Sequence, residues 1–154
     1  MNTDTDLQQT NLTDIESRDD IAHLMREFYG RMFKDEVMGP IFLDVAEMDL
    51  DAHIPIMCDF WELQLFQKPG YRGGMMMVHF QLHNKMPEGL EHHHFMRWLD
   101  YWYETLDALF EGPRATWAKT VASRVGRNMS QRFDEVSGRS ATQHPLSQLR
   151  ITNS

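Results

Sequence analysis

The chain has 154 residues, 42% of them hydrophobic, and carries a formal net charge of −8 at pH 7. This length accommodates one domain with a sizeable core, and the negative charge disfavours nucleic acid and anionic membranes as partners because both are bound through clustered positive charge. Cys58 is the one cysteine, so an internal disulfide is excluded and a reducing compartment is predicted. The polar, acidic N-terminal stretch lacks the apolar core of a signal peptide, and no apolar run is long enough to span a membrane. We therefore expect a soluble, cytoplasmic monomer.

The first predicted helix follows a polar segment, residues 1–17, that we expect to be loose. Ser17 and Asp20 form a capping-box pattern at the start of the helix. Tyr29 borders the apolar face of this helix, whereas His23 lies off it and is predicted to be exposed. The apolar face itself has spacings of three and four residues and consists of Ile21, Leu24, Met25, Phe28 and Met32.

The second predicted helix covers residues 50–66, after a break that we expect at the Gly39–Pro40 pair. Pro55 is tolerated without cost only in the first turn of a helix because it lacks an N–H. The helix is therefore expected to start near Asp51 or to bend at His53. One side of this helix carries an imidazole, an amide and three apolar side chains, namely His53, Met57, Phe60, Trp61 and Gln64.

Three more helices are predicted in the second half of the chain. After the turn-forming loop QKPGYRGG, a short helix carries His79 and ends near Asn84. A long helix begins near Leu90 and has the apolar stripe Phe95, Trp98, Leu99, Trp102, Leu106 and Phe110. Pro113 suits the first position of the last helix, which runs to about Phe133 with a row at four-residue spacing, Trp117, Val121, Val125 and Met129.

The C-terminal residues 136–154 are rich in Ser, Gln, Arg and Thr and show no periodicity, so we expect them to be disordered. No segment has the alternating pattern of a β-strand. The predicted architecture is one all-α domain over residues 18–135.

His79 stands in an unusual stretch, GGMMMVHFQLH, where three methionines precede two histidines. His79 and His83 are four residues apart, so they share a helix face and could hold a metal ion together. A zinc site needs a third and usually a fourth ligand, which Asn84 and Lys85 do not supply well. Three interpretations of His79 therefore stay open at this point: a core histidine, a zinc ligand, or the axial ligand of a haem.

A second histidine-rich stretch, EHHHFMRW, opens the long helix. Consecutive helical side chains point about 100° apart, so at most two of the three histidines can face one site. His92 and His93 are predicted to be exposed, and His94 to border the core four residues before Trp98. A metal cluster here is the alternative. Cys58 has no positive neighbour in sequence and is interpreted as a packing residue.

Tyr29, Trp61 and Trp98 lie on apolar faces, and each could be an ordinary core aromatic. Buried Tyr and Trp side chains usually need a partner for their O–H or N–H group. Together with a histidine in a soft apolar run, they supply what a haem pocket requires, which is one axial imidazole, flat apolar walls and a few hydrogen-bond donors.

Four blocks in order resemble the group III truncated haemoglobins: DIAHLMREFYGRMFKDEVMGPIF, HIPIMCDFW, YRGGMMMVHF and HFMRWLDYW. The resemblance covers about residues 18–133. It implies a two-over-two helical globin sandwich around haem b. It also implies binding of O₂, NO, CO or peroxide at a five-coordinate iron. Reactions of bound nitric oxide or peroxide are a possible further activity in this family, and they would use a reductase that the sequence does not identify.

The resemblance assigns residues to the two sides of the haem. His79 would be the proximal ligand of the iron, and the distal residues would be Tyr29, His53 and Trp98. The walls of the pocket would include Phe28, Phe42, Met57, Phe60 and Trp61.

The sequence departs from the family pattern in three places. Pro55 follows the distal histidine by two residues, the segment HNKMPEGLEHH looks enlarged, and YRGGM lacks an Asn/Gln-Pro pair after its glycine. Two alternatives to the haem protein remain, a non-haem, histidine-based metal bundle and a helical interaction module without a metal.

Overall fold

The computed structural model describes the backbone of residues 11–142 and the side chains of residues 11–137. Within that part the chain forms α-helices and no β-strand, as the sequence predicts. The elements are α1 (Arg18–Phe33), α2 (Met38–Pro40), a π-helical segment (Ile41–Val45), α3 (Leu50–Phe66), α4 (Met75–Lys85), α5 (His92–Leu109) and α6 (Pro113–Thr142).

The start and the buried face of α1 agree with the prediction. The Ser17 hydroxyl accepts a hydrogen bond from the Asp20 N–H at 3.2 Å, while the Asp20 carboxylate accepts from the N–H of Glu16. This reciprocal pair satisfies N–H groups that have no partner inside the helix. His23 is exposed, and the predicted apolar face is buried along its whole length: Ile21, Leu24, Met25, Phe28 and Met32.

The first helix ends at Phe33, so the expected break at the Gly39–Pro40 pair is wrong in position. Asp35 determines where the next helix, α2, begins. Its carboxylate accepts hydrogen bonds from the backbone N–H groups of Val37 and Met38 at 2.9 and 2.8 Å and so caps α2. Gly39 lies inside α2, where a Cβ atom would stand 2.5 Å from the carbonyl oxygen of Phe33. This glycine is therefore required by a close backbone approach and not by a turn.

Residues 11–17, part of the segment that we expected to be loose, pack against the helices. Ile15 has no exposed surface. The two carboxylate oxygens of Asp14 accept the backbone N–H groups of Arg114 and Ala115, each at 2.9 Å, and so cap the start of α6. Residues 1–10 lie outside the described part of the chain.

Helix α3 runs without interruption through Pro55. It starts at Leu50, one residue before the expected Asp51, because the Asp49 carboxylate accepts the Ala52 N–H at 3.3 Å and caps it. The His53 N–H already donates to the Asp49 carbonyl at 3.0 Å, so helical hydrogen bonding has begun at His53 and the helix continues past Pro55.

The last two helices differ from the prediction at their ends. Helix α5 begins at His92, two residues after the expected Leu90, and α6 continues to Thr142, beyond Phe133. Pro113 is the first residue of α6, as predicted. Trp117 is 41% exposed, so its place in the apolar row is wrong; a four-residue spacing drifts about 40° per step around a helix of 3.6 residues per turn. Residues 136–142, which we expected to be disordered, belong to α6, and the remainder of that predicted segment, residues 143–154, lies outside the described residues.

The helices form two stacked pairs. Helix α1 packs on α3, α5 packs on α6, and the pairs meet where α1 contacts α5 and α3 contacts α6. Trp102, Phe28 and Leu106 are among the fully buried side chains between them. The short helix α4 contacts α6 and leaves an internal space between itself and α3. None of the described helices is both long and apolar enough to cross a lipid bilayer.

Candidate functional site

A cavity of about 470 Å³ lies among the helices, and every α-helix of the described chain contributes to its wall. This volume is in the range of binding sites for small molecules and cofactors, about 300–1,000 Å³. Most of the lining is apolar or aromatic. The polar side chains that face the cavity include Tyr29, His53, His79, His94 and Trp98.

His79 reaches the cavity from α4. Its Nδ1 atom lies 2.8 Å from the carbonyl oxygen of Met75, one helical turn earlier. Because a carbonyl can only accept, Nδ1 carries the proton, and Nε2 is left with a free lone pair. Burial lowers the pKa of His79, although the hydrogen bond to Met75 opposes this effect. The ring is therefore neutral at pH 7, with one nitrogen able to ligate a metal.

His53 reaches the same cavity from α3. The His53 Nε2 atom and the Tyr29 hydroxyl are 2.9 Å apart and share a hydrogen bond, with the two rings edge to face. Burial lowers the pKa of His53, and the nearby His79 lowers it further. Both side chains line the cavity, so the two histidines face a common volume. Burial alone raises the pKa of Tyr29, which keeps its hydroxyl protonated.

Trp98 adds a third polar group from α5. Its ring is half-buried and lines the cavity, and its indole N–H makes no hydrogen bond within the described part of the chain. The indole donor is therefore available to a molecule in the cavity. Trp102 stacks on Trp61 at 4.8 Å and is held by its own N–H bond to the Ala118 carbonyl at 3.1 Å. This stack fixes one aromatic wall.

Comparison with known proteins identifies the architecture. No protein-family model matches the sequence, and no curated protein matches it. Among solved structures, the chain is similar to the crystal structure of a group III truncated hemoglobin from Campylobacter jejuni, with a TM-score of 0.67 and 22% sequence identity. The similarity covers 79% of this chain and 94% of that chain. The protein has the truncated-globin fold.

The truncated-globin fold confirms the resemblance seen in the sequence at the level of architecture, because the two stacked helix pairs form the expected two-over-two sandwich. The structure also brings most of the sequence-predicted site residues to one cavity. These are Tyr29, Phe42, His53, Met57, Phe60, Trp61, His79 and Trp98.

Phe28 is the exception among those residues, because it does not line the cavity. Its ring is buried behind Tyr29 and meets Trp98 and Trp102 edge to face, at 6.1 and 5.0 Å. Phe28 therefore supports from behind the side of the cavity that carries Tyr29 and Trp98. The helical spacing identifies it as a core residue but does not show which side of the neighbouring rings it occupies.

His83 has a structural role and does not pair with His79. Its Nδ1 atom accepts the Leu90 N–H at 2.8 Å, and its ring stacks on Phe133 at 4.8 Å. A Cβ atom on Gly89 would lie 2.3 Å from this ring, so the imidazole fills the turn before α5. The two-histidine zinc site is therefore not formed.

Several lining residues could not be assigned from the sequence. Helix α6 closes the cavity with Ala122, Val125 and Met129, and α4 adds Leu82 and Lys85. The apolar residues of α6 carry only a core signal in the sequence, because the pattern that buries a side chain against another helix also faces it toward a cavity. Acidic residues Glu47 and Asp49 line the side of the cavity near the start of α3.

Proposed function

We propose that this protein is a cytoplasmic haem protein that holds haem b in its truncated-globin cavity and binds diatomic ligands there. The observation that carries the proposal is the contact of His79 Nδ1 with the Met75 carbonyl at 2.8 Å, which places the ring proton on Nδ1 and leaves the Nε2 lone pair for a metal. Metal-ligating histidines commonly donate their other ring N–H to a backbone carbonyl, which fixes the tautomer and the ring orientation.

The cavity as a whole fits a porphyrin. It joins the free Nε2 of His79 to apolar and aromatic walls, with Tyr29, His53 and Trp98 as further polar groups. Lys85, the lining residue with a cationic side chain, suits the carboxylates of the porphyrin. When bound in this cavity, haem would supply an iron atom that takes small ligands and the capacity for one-electron chemistry.

The distal residues would stabilise a polar ligand. The Tyr29 hydroxyl stays protonated and can donate a hydrogen bond, and the free indole N–H of Trp98 is a second donor. Each hydrogen bond would contribute about 1–2 kcal/mol. His53 holds the Tyr29 hydroxyl, so it controls the direction in which that hydroxyl donates.

The same donors would favour turnover of bound ligands, such as nitric oxide oxidation or cleavage of a peroxide O–O bond. Both reactions develop negative charge on oxygen, and preorganised donors in a water-poor site stabilise such charge. Tyr29 and Trp98 would supply this stabilisation. The electrons for repeated turnover would come from a reductase of unknown identity.

The test is haem loading of His79→Gly. We expect the purified wild-type chain to bind one haem and show its strong visible absorption, while His79→Gly loses haem or keeps it only with added imidazole. The matched control is His92→Gly, at an exposed position outside the cavity. A wild-type chain that is folded and colourless after haem addition would contradict the proposal, and so would His79→Gly with an unchanged spectrum.

A further inference from the structure

Three metal-ligating side chains meet at the first turn of α5. Glu91 is the N-cap residue of this helix, and His93 and His94 follow in its first turn. One ligand atom from each of the three lies within 4.8 Å of the other two. In residues 11–137, this is the one cluster of three or more His, Cys, Asp or Glu side chains with such spacing.

One distance within this cluster is close to that between two ligands of a coordinated ion. Oε1 of Glu91 and Nε2 of His93 are 3.4 Å apart. Two ligands at about 2.0–2.1 Å from a tetrahedral ion would be about 3.3 Å apart. The His93 and His94 ring centroids are only 4.0 Å apart, although neighbouring helical side chains leave the backbone about 100° apart. The three side chains therefore converge on one point at the start of α5.

We propose that Glu91, His93 and His94 form a binding site for a divalent first-row metal ion of the zinc and copper class. Two imidazoles and one carboxylate suit such borderline ions and do not suit calcium or magnesium, which prefer oxygen ligands. Glu91 and His93 are exposed, so an ion reaches the site directly from solvent. Water takes the fourth position, as in zinc sites with three protein ligands.

His94 connects this site to the cavity. The His94 side chain is buried and lines the cavity, and its Nδ1 atom accepts the Glu91 N–H at 2.8 Å. In the neutral ring this leaves the proton on Nε2. An ion that binds Nδ1 of His94 must displace the Glu91 N–H, and an ion that binds Nε2 must displace the proton. Metal binding therefore rearranges the N-terminal cap of α5, the helix that also carries Trp98.

A zinc titration of the full chain by calorimetry tests the site. We expect one zinc ion per chain, with affinity reduced about tenfold or more by His93→Ala and by Glu91→Gln. His92→Ala is the matched control, because His92 lies in the same turn but bonds to the Ser130 hydroxyl at 3.0 Å and is not in the cluster. We expect this control to leave the zinc affinity nearly unchanged.

Two further measurements distinguish an ion held at the start of α5 from one bound elsewhere on the protein. Cu²⁺ bound to the wild type should show two nitrogen ligands by electron paramagnetic resonance, and His93→Ala should show one. His93 is exposed and caps no helix, so His93→Ala tests the site without testing the fold. Absence of stoichiometric zinc binding overturns the proposal, as does an equal loss in His92→Ala. Zinc binding that survives His93→Ala but is lost in His53→Ala places the ion in the cavity and also overturns it.

Discussion

Tyr29 and His53 direct their polar atoms at each other across 2.9 Å, inside a cavity that His79 enters from another helix. A hydroxyl can accept one hydrogen bond and donate another, so Tyr29 can bond to His53 and still serve a ligand if the imidazole supplies the proton. If Tyr29 donates to His53 instead, a ligand must turn the hydroxyl around. The tautomer of His53 therefore decides how Tyr29 meets a ligand.

Removing either distal donor should change the rate of O₂ dissociation. Tyr29→Phe or Trp98→Phe deletes one hydrogen bond of about 1–2 kcal/mol, which corresponds to about tenfold in the dissociation rate. The sign can differ between the two variants, because the loss of one donor frees the other to reorient. Stopped-flow measurement on the haem-loaded protein checks this, with Tyr103→Phe, a half-buried tyrosine outside the cavity, as control. Unchanged rates in both variants would show that neither residue contacts the ligand.

Replacing His53 should affect ligand entry more than ligand escape. Its Nε2 atom is engaged by Tyr29, so we expect it not to bind iron, and the ferric protein should lack a bis-histidine spectrum. Since bound CO accepts hydrogen bonds only weakly, a change in the Tyr29 donor should alter its escape little, and His53→Ala or His53→Leu should change the association rate of CO more than its dissociation rate, measured by flash photolysis. A low-spin bis-histidine spectrum that disappears in His53→Ala would show that His53 binds the iron, and it would refute the expectation that His53 acts on ligand entry.

Asp35 joins α2 and α5, two helices that line the cavity. Its carboxylate caps α2. The two carboxylate oxygens accept hydrogen bonds from the Arg97 Nε–H at 2.8 and 2.9 Å, and one of them also accepts a hydrogen bond from the Tyr101 hydroxyl at 2.5 Å. Arg97 precedes Trp98 in α5. Asp35→Asn should therefore destabilise the fold by about 2 kcal/mol, since hydrogen bonds to charged groups contribute about 1.5–3 kcal/mol. Urea unfolding followed by tryptophan fluorescence measures this change. Asp100→Asn, at an exposed position on the same helix, is the control and should change stability little.

The contribution of Asp35 should also depend on pH. The hydrogen bond from Arg97 is the first reason that the pKa of Asp35 lies well below its usual range. A carboxyl whose pKa is lower in the folded state stabilises the fold fully above its unfolded pKa, about 3.9, and loses this contribution as pH falls toward the folded pKa. The difference in unfolding free energy between the wild type and Asp35→Asn should therefore be constant above about pH 5 and shrink below about pH 4. If this difference in unfolding free energy were as large below pH 4 as above pH 5, the carboxylate of Asp35 would not be the source of the stabilisation.

At the scale of the whole molecule, periodicity predicts a helix well where the helix buries a long apolar face, as α1 does through Ile21 and Phe28. The positions of their ends depend on contacts between distant residues, which periodicity does not contain. Asp14 caps α6 from the other end of the chain, and Asp35 is fixed by Arg97. The cavity, too, depends partly on contacts between distant residues. Its histidines are visible in the sequence, but the wall formed by Val125 and Met129 becomes recognisable only when α6 is placed against α4 and α5.

Haem binding should stabilise the entire molecule, since side chains from α1 to α6 line one cavity. A ligand that binds only the folded state adds about 4 kcal/mol at a free concentration of one thousand times its dissociation constant. Thermal unfolding of the wild type with excess haem should therefore occur at a clearly higher temperature than without haem, in a single transition. His79→Gly should lose most of this increase, and His92→Gly should keep it. If haem left the unfolding temperature of the wild type unchanged, the cavity would have to be assigned to another molecule, because binding to the folded state must appear as stability.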